Sequence, residues 1–143
     1  MFTFSIQCFN PTKNEIILNT QFCVLSKGLN SGKPLEKPCP NCFIITANNP
    51  EKKEFLFWLC WGLWQSKKIH YFLTGSVIPF IRLNEFKSYL NEQITIACNH
   101  QQQYQKSIKT LQQLQALENN YKQNLQLIQK AKKMVFQSCG IRQ

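Results

Sequence analysis

The sequence predicts an α+β protein: a small antiparallel β-rich unit with one apolar helix, followed by a long C-terminal helix or helical hairpin. Three observations indicate this class. Segments near the N-terminus alternate apolar and polar residues, as half-buried strands do. The run 55–64 contains no polar side chain, and from residue 84 onward apolar residues recur every three or four positions. We therefore divide the chain into a β-rich unit, 1–83, and a helical arm, 84–143.

The N-terminal segment predicts a meander of three strands. Phe2, Phe4, Ile6 and Cys8 alternate with polar residues, which indicates the first strand. A turn at 10–14 contains Pro and Asn, residue types that suit restricted and left-handed backbone angles. Strands at 15–18 and 21–25 would complete the meander, and a further strand follows at 42–46.

The region between those strands and the arm contains a loop, a helix and a strand. The segment 26–40 is rich in Gly, Pro and Lys, and loops of this length are usually functional or disordered. Asn49 is a good cap for a helix over 50–66, with Pro50 in its first turn. This helix is apolar on every face, so it is either buried all round or has a second adhesive face. A strand over 76–82 is expected at a sheet edge, because Pro79 cannot donate to a ladder.

The arm begins with Asn84 as a cap, and a break at 98–100 predicts a shorter helix followed by a longer one from about residue 101 to 137. Its apolar stripe is close to a heptad repeat, which is typical of a helix that pairs with another. We expect the arm to mediate homo-oligomerisation, or to bind a helical partner, through the stripe residues Ile108, Leu111, Leu114, Leu117, Leu125 and Ile128.

Composition restricts the class of protein further. The 143 residues fit one domain, and 43% are apolar, which excludes a wholly disordered chain. No apolar run approaches the ~20 residues that span a bilayer, and the N-terminus lacks the pattern of a signal peptide. Seven cysteines are an odd number, which favours reduced thiols and a cytoplasmic protein without membrane partners.

The excess of basic residues is the most informative functional signal. The formal charge is +10, and the residues after 99 carry seven Lys or Arg and one acid, Glu118. Such a surface attracts polyanions, and non-specific nucleic-acid binding consists mostly of phosphate neutralisation. The candidate contacts lie in the loop, at the end of the predicted edge strand and along the arm: Lys27, Lys33, Lys37, Arg82, Lys106, Lys109, Lys122, Lys130, Lys132 and Lys133.

Motifs for catalysis and cofactors are weak. The segment 28–34 has three residues between its glycines and a proline after its lysine, whereas a phosphate-binding P-loop needs four residues and then Ser or Thr. Cys39 and Cys42 form a CxxC, a spacing that suits zinc or a redox pair. Zinc would need two more ligands, and the remaining candidates are irregularly spaced: Cys60, His70, Cys98 and His100. We predict free thiols in a structural turn, no metal, no cofactor and no catalytic residues.

Two segments carry a resemblance. LSKGLNSGKPLEKPCPNCF (25–43) and GSVIPFIRL (75–83) resemble a family of small uncharacterised proteins from bacterial genomes and mobile elements. GSVIPFIRL followed by a long helix also resembles half of a type I restriction specificity subunit. That resemblance implies a target-recognition domain ahead of a helix that packs in a coiled coil, and therefore a DNA partner.

These observations predict a non-catalytic binding protein that acts on DNA or on a DNA-handling complex through its basic surface. The alternative is a protein-interaction or scaffold module with no nucleic-acid role. An enzyme would instead bring Cys39, Cys42, His70 or Arg82 together in one pocket.

Overall fold

The computed structural model describes residues 2–12 and 19–140, and it confirms the α+β class. Its elements follow the chain in the order β1 Phe4–Cys8, β2 Gln21–Leu25, β3 Pro34–Leu35, β4 Cys42–Ala47, α1 Pro50–Gln65, a 3-10 helix Lys68–Phe72, α2 Leu83–Asn99 and α3 Gln101–Ser138. The predicted strand at 15–18 lies outside the described residues.

The sheet formed by the described strands is antiparallel, in the order β1-β4-β2-β3. In β4, Ile45 pairs with Ile6 of β1 on one side and with Phe22 of β2 on the other. The predicted meander is therefore wrong in its pairing, since β4 lies between β1 and β2. Every residue of β4 except Thr46 is buried, because its alternate residues pack in two apolar clusters, one on each face of the sheet.

The core lies between one face of this sheet and the helices α1 and α2. Alternate residues of β2 and β4 supply the sheet side, as the period of two requires. The helices supply Leu56 and Leu63 from α1 and Phe86 and Leu90 from α2, at steps of seven and four residues that keep each pair on one helical face. Burying each of these large side chains stabilises the fold by about 1.5–3 kcal/mol. The buried members of this core on the sheet are Phe22, Val24, Phe43, Ile45 and Ala47.

The helix boundaries follow local signals. The side chain of Asn49 caps α1, with its Oδ1 accepting from the backbone N–H of Lys52 at 2.8 Å. The apolar helix predicted over 50–66 is confirmed with a one-residue difference at its end. For α2 the cap is Arg82 rather than Asn84, and no side-chain hydrogen bond is made there.

The segment predicted as an edge strand over 76–82 is not a strand. It is a bend that makes isolated bridges through Phe80 to Lys27 and Thr74. Pro79 provides no N–H, and Gly75 takes a φ of +97°, so the segment turns instead of extending.

The described chain divides into two compact units, the first ending at Tyr104 and the second beginning at Gln105. The sequence-based boundary at 83 precedes α2, whereas the buried residues of α2 belong to the core of the first unit. Tyr104, in the first turn of α3, also belongs there: its hydroxyl donates to the carbonyl oxygen of Phe55 at 2.8 Å, and burial raises its pKa.

Candidate functional site

The second unit begins at Gln105 in α3, and the six arm lysines predicted as nucleic-acid contacts lie along this helix. The 38-residue helix spans about 57 Å at 1.5 Å per residue. It contains no Gly or Pro and no buried residue. The break predicted at 98–100 is confirmed, because α2 ends at Asn99 and α3 begins at Gln101. The second half of the arm is therefore a single helix rather than a hairpin.

Three of the arm lysines share one side of α3. The helical period places Lys122, Lys130 and Lys133 within less than a quarter of the helix circumference. We call these three residues the lysine face. Lys122 forms an ion pair with Glu118 (Nζ to Oε1, 3.3 Å), and within the described chain no carboxylate lies within ion-pair distance of Lys130 or Lys133.

The other arm lysines do not join this face. The same period puts Lys106 and Lys109 on other sides of the helix, and Lys132 falls among the apolar side chains. All three are exposed. The structure therefore brings together half of the six predicted arm contacts.

The apolar stripe lies on the side of α3 opposite the lysine face. Leu114, Leu117, Leu125 and Ile128 lie within about a quarter of the circumference, and each is roughly half exposed or more. The period places the two remaining predicted stripe residues, Ile108 and Leu111, on a different side. Two further exposed apolar residues of the arm, Tyr121 and Val135, lie on the same side and belong to the stripe.

The loop lysines of the first unit occupy three different settings. The backbone of Lys27 bridges to Phe80. The ammonium of Lys33 lies 5.1 Å from the ring centroid of Trp64, a cation–π contact. Lys37 is exposed. In the described part of the chain, Lys27 and Lys33 therefore contact different residues, and the three lysines do not form one site. Arg82, also a predicted contact, forms an ion pair with Glu85 at 3.8 Å.

The two segments that carry the family resemblance contact each other. The backbone N–H of Gly28 donates to the carbonyl of Pro79 at 2.7 Å, and that of Ile81 donates to Ser26 at 3.0 Å. These two hydrogen bonds hold the loop against the segment that follows the 3-10 helix. The sequence could not predict this contact, because about 50 residues separate the partners and neither segment is a regular strand.

The CxxC lies beside a third cysteine. Cys23, Cys42 and Cys39 form a small cluster on the face of the sheet that α1 and α2 do not cover. Desolvation raises the pKa of Cys23 to about 12 and raises that of Cys42, so both thiols stay protonated at neutral pH. The structure places Cys23 beside the CxxC, but within residues 2–12 and 19–140 it forms no group of three or more Cys, His, Asp or Glu that could hold a metal ion.

A cleft of about 500 Å³ lies between the 3-10 helix and α2. Three aromatic rings line it: those of Phe72 on the 3-10 helix and Tyr89 on α2 are 4.5 Å apart, and Tyr71 meets Phe72 edge-on at 5.4 Å. Tyr71 is 88% exposed. We call this site the aromatic cleft.

The α2 side of the aromatic cleft also carries two carboxylates. Glu85 and Glu92 lie two turns apart on α2, and Ser88 lies between them on the same side. Burial, together with the charge of Glu92, raises the pKa of Tyr89, so its phenol stays neutral. Sequence analysis missed this site, although the polar residues 85, 88 and 92 follow the spacing of one helical face. None of the residues proposed for an enzyme pocket lines it.

The fold and these surfaces define an α+β protein with a basic helix, an exposed apolar stripe and an aromatic cleft. A family model matches residues 6–138, and the chain belongs to that family, described as a family of unknown function (DUF6943). The expected relationship to uncharacterised proteins is thereby confirmed. No curated protein and no solved structure matches the chain. No helix in the described residues has the length and apolar character to cross a membrane.

Proposed function

We propose that this is a non-catalytic nucleic-acid-binding protein of the cytoplasm that contacts phosphates through the lysine face of α3. The observation that carries the proposal is the segregation of Lys122, Lys130 and Lys133 from the apolar stripe on an exposed helix. A helix side of this kind can follow a phosphate backbone without bringing the apolar stripe into the contact.

The spacing of the lysine face suits a polyanion. Lys122 and Lys133 are 11 residues apart, which is about 16 Å along the helix axis. Duplex DNA carries a charge every ~1.7 Å of its axis, so all three ammonium groups find phosphates within their reach. Of the three lysines of this face, only Lys122 has a carboxylate partner among the described residues, and α3 has no other acid than Glu118.

DNA is the preferred polyanion because of the resemblance of segments 25–43 and 75–83. A DNA-handling role suits proteins of bacterial genomes and mobile elements, and GSVIPFIRL ahead of a long helix resembles the order in a restriction specificity half-subunit. Free thiols at all seven cysteines agree with a reducing compartment.

Fluorescence anisotropy with labelled duplex DNA, over a series of salt concentrations, tests this proposal. The variant Lys122→Gln, Lys130→Gln, Lys133→Gln should weaken binding equally for unrelated sequences. It should also flatten the slope of log affinity against log salt by roughly 2.7, about 0.9 for each phosphate contact.

The matched control removes the same charge elsewhere. Lys67→Gln, Lys68→Gln, Lys87→Gln changes three exposed lysines of the first unit and should leave most of the slope intact. Equal losses in the two triple variants would refute a specific role for the lysine face. A wild type that binds neither duplex, single-stranded DNA nor RNA at physiological salt would refute the proposal.

A second candidate function, a protein-interaction module, is favoured by the apolar stripe. Exposed Leu114, Leu117, Leu125 and Ile128 form a contiguous apolar surface on one side of a long helix, and such surfaces mark protein interfaces. We propose a second copy of this chain as the partner, because pairing two stripes buries the same apolar positions on both helices and leaves both lysine faces outward.

Sedimentation velocity tests the pairing. Leu114→Asp with Leu125→Asp should convert a dimer into a monomer at tens of micromolar. Gln112→Asp with Gln126→Asp makes the same change of charge on the opposite side of α3, where both residues are exposed, and should leave the dimer intact. A monomeric wild type would refute this candidate without affecting the test of nucleic-acid binding.

A further inference from the structure

The aromatic cleft differs in charge from the rest of the molecule. The chain has 7 acids against 17 Lys and Arg, yet two of those acids, Glu85 and Glu92, line this one cavity. The same cavity is lined by Tyr71 and Phe72 of the 3-10 helix and by Tyr89, which lies on α2 with the two glutamates. A cavity that combines two carboxylates with aromatic rings suits a cation rather than a phosphate, so the nucleic-acid proposal does not account for it.

From this juxtaposition we infer that the aromatic cleft binds an organic cation with N–H donors, a guanidinium group in particular. A guanidinium is planar and stacks on the face of an aromatic ring, while its N–H groups donate to carboxylate oxygens. The cleft offers both features within about 500 Å³, a volume within the range of small-molecule sites.

The hydroxyl groups of the cleft favour a hydrogen-bonding cation over a quaternary ammonium. Ser88 lies between the two glutamates on α2, and Thr74 lines the other side. Both are able to accept an N–H that the carboxylates leave unpaired. A quaternary ammonium has no N–H and would leave these acceptors unused.

Glu85 already pairs with a guanidinium of this chain. The guanidinium of Arg82, which does not line the cleft, lies 3.8 Å from the carboxylate of Glu85. This is an exposed ion pair at the long end of the distance range, and such pairs are weak. A ligand guanidinium in the cleft would therefore displace it at little cost, and Glu92 has no ion-pair partner in the described residues.

The cation has two sources: a free small molecule, or an arginine side chain on a peptide. Amide NMR titration distinguishes them with arginine amide and with a blocked Gly-Gly-Arg-Gly-Gly peptide. For each, the citrulline counterpart is the matched control, because it keeps the planar shape and loses the charge. We expect shifts at residues 71–74 and 85–92 with the arginine ligands and much weaker ones with citrulline.

Variants of the protein then assign the effect to the cleft. Glu92→Gln should weaken binding about three- to tenfold, and Tyr71→Ala about two- to fivefold. Tyr71 is exposed, so its removal leaves the core intact. Glu36→Gln removes one negative charge from an exposed loop position and should have no effect. Arg82→Gln should strengthen binding, since it removes the competing guanidinium.

Each possible result of these titrations either supports the inference or contradicts it. Binding of the peptide alone, of the small molecule alone, or of both supports the inference and identifies the source of the cation. No shift at tens of millimolar arginine ligand, equal binding of citrulline, or equal losses in Glu92→Gln and Glu36→Gln would overturn it. These experiments use no nucleic acid, so their failure leaves the proposed function untouched.

Discussion

Replacing Gly32 by alanine tests how the loop that contains it, within residues 26–40, packs against the core. Gly32 has a φ of +93°, and a Cβ there would lie 2.5 Å from Cδ1 and 2.8 Å from Cγ2 of Ile69, which is fully buried. Two penalties combine: about 1–2 kcal/mol for a side chain at a left-handed φ, and about 1–3 kcal/mol for overpacking. We expect Gly32→Ala to lower the free energy of unfolding by about 2–5 kcal/mol.

Gly28 provides a matched control in the same loop. Its φ is +94°, and an added Cβ would meet no atom within 4 Å. Gly28→Ala should therefore show the backbone penalty alone, about 1–2 kcal/mol. The difference between the two variants, about 1–3 kcal/mol, measures the clash with Ile69.

Urea unfolding followed by fluorescence of the three tryptophans of α1 measures both variants. Combining Gly32→Ala with Ile69→Ala removes the two closest atoms and leaves only the Cβ of residue 69 at 3.2 Å, so the alanine at position 32 should then cost little more than it does at position 28. Equal destabilisation by Gly28→Ala and Gly32→Ala, or no coupling between positions 32 and 69, would refute this account of the loop.

Two further predictions concern the helix cap and the buried thiols. Asn49→Ala should lower the free energy of unfolding by about 1 kcal/mol, because Lys52 N–H loses its acceptor, whereas Asn49→Asp should preserve it; chemical denaturation distinguishes the two. Burial raises the pKa of Cys23 from 9.0 to about 12 and also raises that of Cys60, so above about pH 9 the unfolded chain loses protons that the folded chain keeps. Stability should then fall as pH rises from 9 to 11, by up to about 1.4 kcal/mol per pH unit for each thiol, and a flat profile in urea unfolding would contradict the assigned burial.

Elements with local signals could be predicted from the sequence. The cap, the first-turn proline and the apolar run predict α1 to within one residue, and the helical period with a break at 98–100 predicts α3 to within one residue of its end. These features depend on neighbours three or four residues away, which a single sequence displays directly.

Features that depend on distant partners could not be predicted. The pairing of β4 between β1 and β2 joins residues far apart in the chain, and so do the hydrogen bonds of Gly28 with Pro79 and of Ile81 with Ser26. The aromatic cleft likewise combines the 3-10 helix with one side of α2, so the sequence shows only half of it at a time.

The lysine face requires a polyanion and the aromatic cleft requires a cation. Because the two ligands have opposite charge, the two proposals can be tested independently. A polyanion that releases counterions from three contacts responds steeply to salt, whereas a single guanidinium between carboxylates and aromatic rings responds weakly. Glu92→Gln should therefore leave the slope of nucleic-acid affinity against salt unchanged, and the lysine-face variant should leave the discrimination between arginine and citrulline unchanged. A change in the salt slope with Glu92→Gln, or in the discrimination between arginine and citrulline with the lysine-face variant, would show that the two surfaces do not act independently.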